Sequence, residues 1–390
     1  DFFSDSYSYL YAAYANLDVS IWPIGYSKFL RWFHFITYSD TALVAFQYFL
    51  LELGALYFYL TILYFFRPSK TNRTLLFIFL FFNPLFLYLS NYVNSDPLFV
   101  GLSLFWVTQL IWVLFRPFFY QVFVQSILLF FCFTIRNNAY YYPVIGAIAF
   151  LLSRQSWKTK LAGMILPLIL LLPFIIHTRD AAYKMTGRKQ FSLFTGWQLA
   201  NNALYMYKDL FVESDEFPTP QTQELDTLSK RFYKTVVPEF QDYLSNYTGN
   251  FFIRQPDAPL KQYVSLHYSP KNGYEDVGVW GKASAIFSDY GSYLIKKNPS
   301  AYIRNFMFLN AKVYFATPLE KLELYNLGED SVGAIVKYWF HYKGQRVSAV
   351  SKKAQGVILF IFPPLFFLTN IYLIIWGLLF IIKRKFKNTP

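Results

Sequence analysis

Long apolar blocks joined by short polar connections constrain this chain more than any other feature. Seven such blocks, 41–65, 74–92, 97–115, 118–134, 139–152, 160–177 and 357–382, hold few charged residues between them. A helix of about 20 apolar residues crosses a bilayer. A backbone inside lipid must satisfy its own hydrogen bonds, which leaves the helix or the closed barrel. Blocks of this length favour the helix, so the sequence predicts an all-α polytopic membrane protein. Composition agrees: 55% of the residues are hydrophobic, 22% aromatic and only 15% charged, an unusual balance for a soluble domain. The single Cys132 excludes a disulfide framework and a cysteine zinc cluster.

The net charge of +13 is distributed by loop. Arg67, Lys70, Arg73, Arg116, Arg154, Lys158, Lys160, Lys383, Arg384, Lys385 and Lys387 fall in alternate connections and the tail, 11 basic residues with no acid among them. The intervening short loops hold Asp40, Asp96 and Arg136. By the positive-inside rule the first set is cytoplasmic and the second external. Topology therefore accounts for most of the positive charge, and no nucleic-acid partner is needed to explain it. Asp1 and Asp5 then lie on the outer side, and a further span is expected upstream of them. The composition, rich in Phe, Tyr, Ile, Lys and Asn, leans toward a bacterial inner membrane, with the outer loops facing the periplasm or exterior.

Three regions follow. Residues 1–177 form a transmembrane module, with a first outside loop at 1–40 and six spans over 41–177. The loop holds two amphipathic pieces, Ser4–Asn16 and Tyr26–Ile36, broken at Pro23 and Gly25, with Trp22 and Trp32 suited to the membrane interface. Residues 178–356 carry 22 Lys/Arg and 17 Asp/Glu and read as a mostly α-helical extracytoplasmic domain. Helices are expected there at Thr222–Val236, at Ala283–Lys297 and from Pro299 to about Tyr314. Residues 357–390 are a last span and a basic cytoplasmic tail.

Candidate chemistry gathers in the outer loops. Asp5, with Tyr9 four residues on and on the same helix face, is a candidate general base for an acceptor hydroxyl or amine. The plainer reading is that Ser4 or Asp5 caps the helix. Asn94-Ser95-Asp96-Pro97 reads equally as a helix start and as a second acid facing Asp5. There Asp96 could orient a substrate hydroxyl or hold a divalent cation such as Mg or Mn. Arg136, followed by Asn137 and Asn138, either neutralises a phosphate at headgroup level or anchors a span by snorkelling. His177 and Arg179, with Asp180, emerge from a span and could line the same cavity or simply end the helix. Glu52, inside a span, is expected to hydrogen-bond a neighbouring helix.

Other signals are weaker. His34, His267 and His341 have no metal-ligand spacing, and no nucleotide-binding or hydrolase motif is present in a useful context. Asn246-Tyr247-Thr248 is a glycosylation sequon. Gly196–Tyr205 is rich in aromatic and amide groups and suits either sugar stacking or a packing strip.

Four local features resemble the GT-C class of integral-membrane glycosyltransferases, which includes protein O-mannosyltransferases and bacterial aminoarabinose transferases. Asp5 to Ala13 is similar to an acidic-x-x-x-Tyr-x-x-x-Ala pattern, and Trp22-Pro23-Ile24-Gly25-Tyr26 to the turn that follows it. Asn94–Pro97 resembles the second acidic site, and Arg136–Pro143 an Arg-x-Asn…Pro step. The likeness covers residues 1–177 and is only architectural beyond. One departure is that Asp5 is followed by Ser6, where many relatives carry a second acid. The resemblance implies a GT-C-like helical module and inverting transfer of a sugar from a polyprenyl-phosphate donor to a lipid, glycan or protein acceptor. It implies Asp5 as base, with Asp1, Tyr9, Asp96, Arg136, Asn137, Asn138, His177 and Arg179 around the substrates. The rivals are a lipid or solute transporter, which should carry internal repeats, and a non-catalytic subunit of envelope-glycan assembly.

Overall fold

The computed structural model describes residues 1–236, 249–268 and 277–382. The sequon at Asn246 and the basic tail from Lys383 lie outside them. Among the described residues the fold is all-α, with one isolated β-bridge between Ser331 and Arg346 and no strand. The chain divides into two compact units, residues 1–192 with 324–355 and residues 193–323 with 356–390.

The first unit begins with α1 (Ser4–Tyr14) and α2 (Gly25–His34). Then come α3 (Asp40–Phe66), α4 (Lys70–Phe81), α5 (Pro84–Ser90), α6 (Ser95–Phe115), α7 (Gln121–Ile135), α8 (Tyr142–Leu152) and α9 (Trp157–Thr186). Five stretches are long and apolar enough to cross a membrane: 40–66, 70–90, 95–115, 157–186 and, in the second unit, 354–382. Helices of this length and composition suggest a membrane protein. The stretch 70–90 is broken between α4 and α5, where Asn83 Oδ1 accepts from Leu85 N at 3.0 Å and Pro84 removes a helical donor.

Two expected spans come out short. The blocks 118–134 and 139–152 form helices of 15 and 11 residues, below the length that crosses a hydrocarbon core. Polar and proline-containing breaks at Arg116-Pro117 and Arg136–Asn138 set their ends. The last span before the second unit runs the other way, continuing nine residues past His177 to Thr186.

The ends of these helices sort by charge as the loops suggest. Asp40, Asp96 and Arg136 lie at one end, where α3 and α6 start and α7 stops. Arg67, Lys70, Arg116, Arg154 and Lys160 lie at the other. There Gln121 ties the start of α7 to the Arg116 carbonyl (3.1 Å), and Lys160 reaches the Leu151 carbonyl (2.8 Å).

The tightest pair in this unit is α3 with α6. No apolar driving force separates helix from lipid tail, so small residues and polar cross-links do the joining. A Cβ on Gly54 would sit 2.9 Å from the Gly101 carbonyl oxygen, so the two backbones nearly touch. Gln109 donates to Tyr57 Oη (2.7 Å) and Trp112 Nε1 to Thr61 Oγ1 (3.0 Å) across the same seam. Gly54→Ala must push these backbones apart; overpacking of this kind costs about 1–3 kcal/mol. A drop in the thermal unfolding midpoint of the detergent-solubilised chain is the expected readout. An unchanged midpoint would mean that the seam yields freely. Glu52, expected to bond a neighbouring helix, has Oε1 buried with no hydrogen-bond partner among the described residues, and its polar neighbour is Tyr48 one turn earlier on α3.

Residues 324–355, which composition places inside the 178–356 domain, group with the first unit because their apolar side chains pack there. Val332, Val336, Trp339 and Phe340 share a buried cluster with Phe2, Tyr9, Leu10, Tyr26 and Leu30. Tyr342 Oη donates to Asp40 Oδ2 at 2.6 Å, and Tyr7 Oη accepts from Gly333 N at 3.3 Å.

In the second unit α10 (Thr195–Leu204) crosses the helix Val277–Lys297 so closely that a Cβ on Gly196 would fall 1.7 Å from the Ser284 carbonyl oxygen. Trp197, Ala200, Asn201, Ala203 and Leu204 are buried, so the aromatic and amide strip serves packing. Asn201 there donates to the Gly249 carbonyl (2.7 Å) and accepts from Phe252 N (3.2 Å). The helix α11 (Pro220–Thr235) brings buried Asp226 against this core.

Candidate functional site

The candidate site lies in the first unit, at the end of the helices where Asp96 and Arg136 meet. It is assembled from three separated stretches of chain. The first is α1. Its cap is Phe3, whose N–H is received by Ser6 Oγ at 3.2 Å. Ser4 and Asp5 therefore lie inside the first turn, and neither is the cap that sequence alone allows. The Asp5 carboxylate is half-buried at the positive end of the helix dipole, where a negative charge is favoured.

Tyr9, one turn along, is 4% exposed. Its ring meets Tyr26 edge-on with centroids 4.9 Å apart. Tyr26 donates to Gln47 Oε1 (2.7 Å), and Gln47 Nε2 donates to the carbonyls of Ser90 (3.0 Å) and Tyr92 (3.2 Å). This chain fixes α1, α2 and α3 to the loop that precedes α6. Gln47 was legible only as a polar residue within an apolar span.

The second stretch is the start of α6. Asn94 caps it by accepting from Ser95 N at 2.7 Å, and its amide donates to Asp96. Ser95 Oγ hydrogen-bonds Tyr9 Oη at 2.8 Å. The third is the end of α7, where Arg136 Nη1 donates both to Ser95 Oγ (3.2 Å) and to Asp96 Oδ1. The side chains of Arg136 and Asp96 are 30% and 20% exposed, so the ion pair keeps a face toward solvent.

Burial dominates the Tyr9 hydroxyl and holds its pKa well above the usual phenol range. Arg136 and the bond to Ser95 oppose that rise, while the charges of Asp5 and Asp96 add to it. The hydroxyl thus stays protonated at any physiological pH: it can donate and position, but it cannot serve as a base. The charges of Asp5 and Asp96 are both felt at this one hydroxyl, whose hydrogen bond runs to Ser95. Ser95, the atom bridging Tyr9 to Arg136, was visible in the sequence only as a helix-start residue.

The remaining sequence candidates spread out. Asp1 ties α1 to the loop before α6: its carbonyl accepts from Val93 N (3.1 Å) and its carboxylate from Asn91 Nδ2 (3.2 Å). Asn137 is half-buried and lines a narrow cavity with Trp22, Phe174, Thr178 and Phe191. Asn138 and Arg179 are exposed. His177 is 64% exposed, with Nε2 3.8 Å from Asp18 Oδ2. Asp18 also receives Lys28 Nζ at 2.9 Å, and that hydrogen bond, helped by the charges of Lys28 and His177, holds its carboxyl below the usual range. His177 and Arg179 therefore lie with Asp18 and Asp180 on an exposed rim.

Among the described residues no group of three or more His, Cys, Asp or Glu is placed to hold a metal ion. The two Asp96 oxygens already receive Arg136 and Asn94. What the arrangement offers is a partly exposed guanidinium of fixed orientation, a carboxylate one helical turn from a buried neutral phenol, and a second carboxylate that orients the guanidinium. The chain matches no known family model, no curated protein and no solved structure.

Proposed function

We propose that the first unit is the catalytic module of a membrane glycosyltransferase that moves a sugar from a polyprenyl-phosphate donor to an acceptor on the extracytoplasmic face. The observation that carries this reading is the chain Tyr9–Ser95–Arg136–Asp96, with Asp5 one turn from Tyr9, at the acidic end of an apolar helical unit. A phosphate at headgroup level needs a rigid cation, and a guanidinium held by Asp96 and Ser95 is preorganised for one.

In the proposed step the acceptor oxygen or nitrogen attacks the anomeric carbon while its proton passes to Asp5. The bond from that carbon to the phosphate oxygen breaks, and its electron pair leaves with the phosphate beside Arg136. Inversion follows from attack opposite the leaving group. Tyr9, kept neutral, places Asp5 and Ser95 relative to each other. Membrane lipids supply the surroundings, and no bound cofactor is required by this scheme.

The deciding experiment incubates the purified chain in nanodiscs with a panel of polyprenyl-phosphate sugars and lipid, glycan and protein acceptors. Sugar transfer from one donor is the expected result; none across the panel argues for a transporter or a scaffold. Arg136→Lys gives the finer test. A lysine ammonium cannot reproduce the fork that reaches Ser95 and Asp96 together. Donor KM is expected to rise about 10-fold or more, with a smaller change in kcat, since lost ground-state binding appears in KM. An unaltered donor KM would remove Arg136 from phosphate binding.

A further inference from the structure

We infer that the cleft between the C-terminal ends of α1 and α2 and the segment 335–341 is a second anion site, built for a phosphate ester whose organic part has an apolar or ring face. It shares no residue with the Tyr9–Ser95–Arg136–Asp96 chain, and it does not depend on the glycosyl-transfer reading. The cleft measures about 610 Å³, and among the described residues no carboxylate lines it. Its polar groups are Arg31, His34 and His341, and its apolar walls include Trp339, Tyr338 and Tyr14. A concave site of this size with a few convergent polar groups among aromatic rings is the usual form of a small-ligand pocket.

The geometry leaves the cationic groups together without an acid. The His34 ring lies 4.1 Å from Trp339 and 6.4 Å from His341, centroid to centroid, and Tyr38 stacks on His341 at 4.3 Å. Arg31 is fixed in direction because Nη1 donates to the Ala13 carbonyl at 3.2 Å while its guanidinium sits 5.8 Å from the Phe35 ring. His34 Nδ1 is enclosed and has no hydrogen-bond partner among the described residues. His341 is in the left-handed region at φ 55°, an uncommon conformation that histidine adopts more readily than most residues. The rim is apolar and open: Tyr14 is 65% exposed and Tyr338 71%.

Burial first, then His341 and Arg31, hold the His34 pKa below the ordinary histidine range. The groups facing it are Arg31 and Tyr38 from the α2 side, His341 and Trp339 from the segment 335–341, and Tyr14 from α1. A bound dianion offsets the charges that oppose protonation of His34, so binding draws a proton onto that imidazole. The sign follows: affinity rises as pH falls through the histidine range. A phosphate ester satisfies all of this, offering three acceptor oxygens to the cations and an organic part to the rings.

The test is calorimetric titration of the full chain in dodecyl maltoside, a phosphate-free detergent, with phenyl phosphate, dihexanoyl phosphatidic acid and inorganic phosphate. At least one ester is expected to bind with Kd of about 1 mM or tighter, and about 10-fold more tightly than inorganic phosphate. Tighter binding of the phosphatidic acid assigns the site to a lipid headgroup, and tighter binding of phenyl phosphate to a soluble ring phosphate. Arg31→Gln is expected to weaken binding about 10-fold or more through loss of a charge-assisted contact. Arg31 also holds the Ala13 carbonyl, so His341→Asn provides a second variant, asparagine being tolerant of the left-handed region. Binding should tighten between pH 8 and pH 6, and His34→Gln should flatten that gain. Absence of ester binding, equal affinity for inorganic phosphate, or binding unchanged in both Arg31→Gln and His341→Asn overturns the proposal.

Discussion

Asp5→Asn is expected to lower the rate of sugar transfer by about 10²–10⁴-fold, the usual worth of a positioned general base. The substitution keeps the shape of the side chain and removes only its basicity. Asp5 is not the cap of α1, since Phe3 and Ser6 form that start, so the helix should survive the change. The loss of a first-turn negative charge costs about 0.3–1 kcal/mol, which is small beside the catalytic effect. Transfer kinetics and thermal unfolding of the same preparation separate the two. The fall should appear in kcat with donor KM nearly unchanged, the reverse of the pattern expected for Arg136→Lys. Transfer that continues at the parental rate would remove Asp5 as base. A protein that unfolds would instead place Asp5 in the structural frame of α1.

The second large effect is on stability. Asp226 is fully buried in the second unit and accepts from Tyr207 Oη (2.7 Å), Ser214 Oγ (2.8 Å) and Tyr290 Oη (3.3 Å), with Lys230 Nζ at 3.2 Å. Replacing it with alanine strands several donors at once and leaves Lys230 without its nearest acid. Leaving buried hydroxyl donors without an acceptor costs about 1–3 kcal/mol for each group. Asp180→Ala is the matched control: its pair with Lys189 spans 3.6 Å between side chains 51% and 59% exposed, and solvent screening limits such a pair to under about 1 kcal/mol. Chemical denaturation of the full chain, followed by circular dichroism, should separate the two variants clearly. Equal midpoints would mean that the Asp226 network relaxes around the missing carboxylate.

Much of the helical frame was readable from the chain. The stretches 40–66, 95–115 and 354–382 follow the apolar blocks almost residue for residue, because length and hydropathy are local properties. The separation of Arg67, Arg116 and Lys160 from Asp40, Asp96 and Arg136 was equally plain, since alternating helices carry alternating loops to opposite ends. The block 139–152 was already short for a span, as α8 is, but the shortness of α7 was not readable as such. An apolar run looks the same whether it crosses a membrane or packs part-way into a bundle, and only its partners decide.

The candidate site divides along the same line. Asp5, Tyr9, Asp96 and Arg136 stood out because each is polar at the edge of an apolar block. Their association did not, because Ser95 and Gln47 join them through bonds spanning up to 86 positions of chain. His177 and Arg179 stood out for the same local reason and yet sit on the exposed rim with Asp18 and Asp180.

By itself the sequence determined that this chain is helical, that several of its helices are long and apolar enough to cross a membrane, and which loops share an end. Those are sums over neighbouring residues, and hydropathy and charge add along the chain. The tertiary structure alone decided that Tyr9, Ser95, Arg136 and Asp96 form one network, that residues 324–355 return to the first unit, and that Arg31, His34 and His341 line one acid-free cleft. Each of those depends on side chains far apart in the chain meeting in space, and no local pattern encodes which distant partner a residue will find.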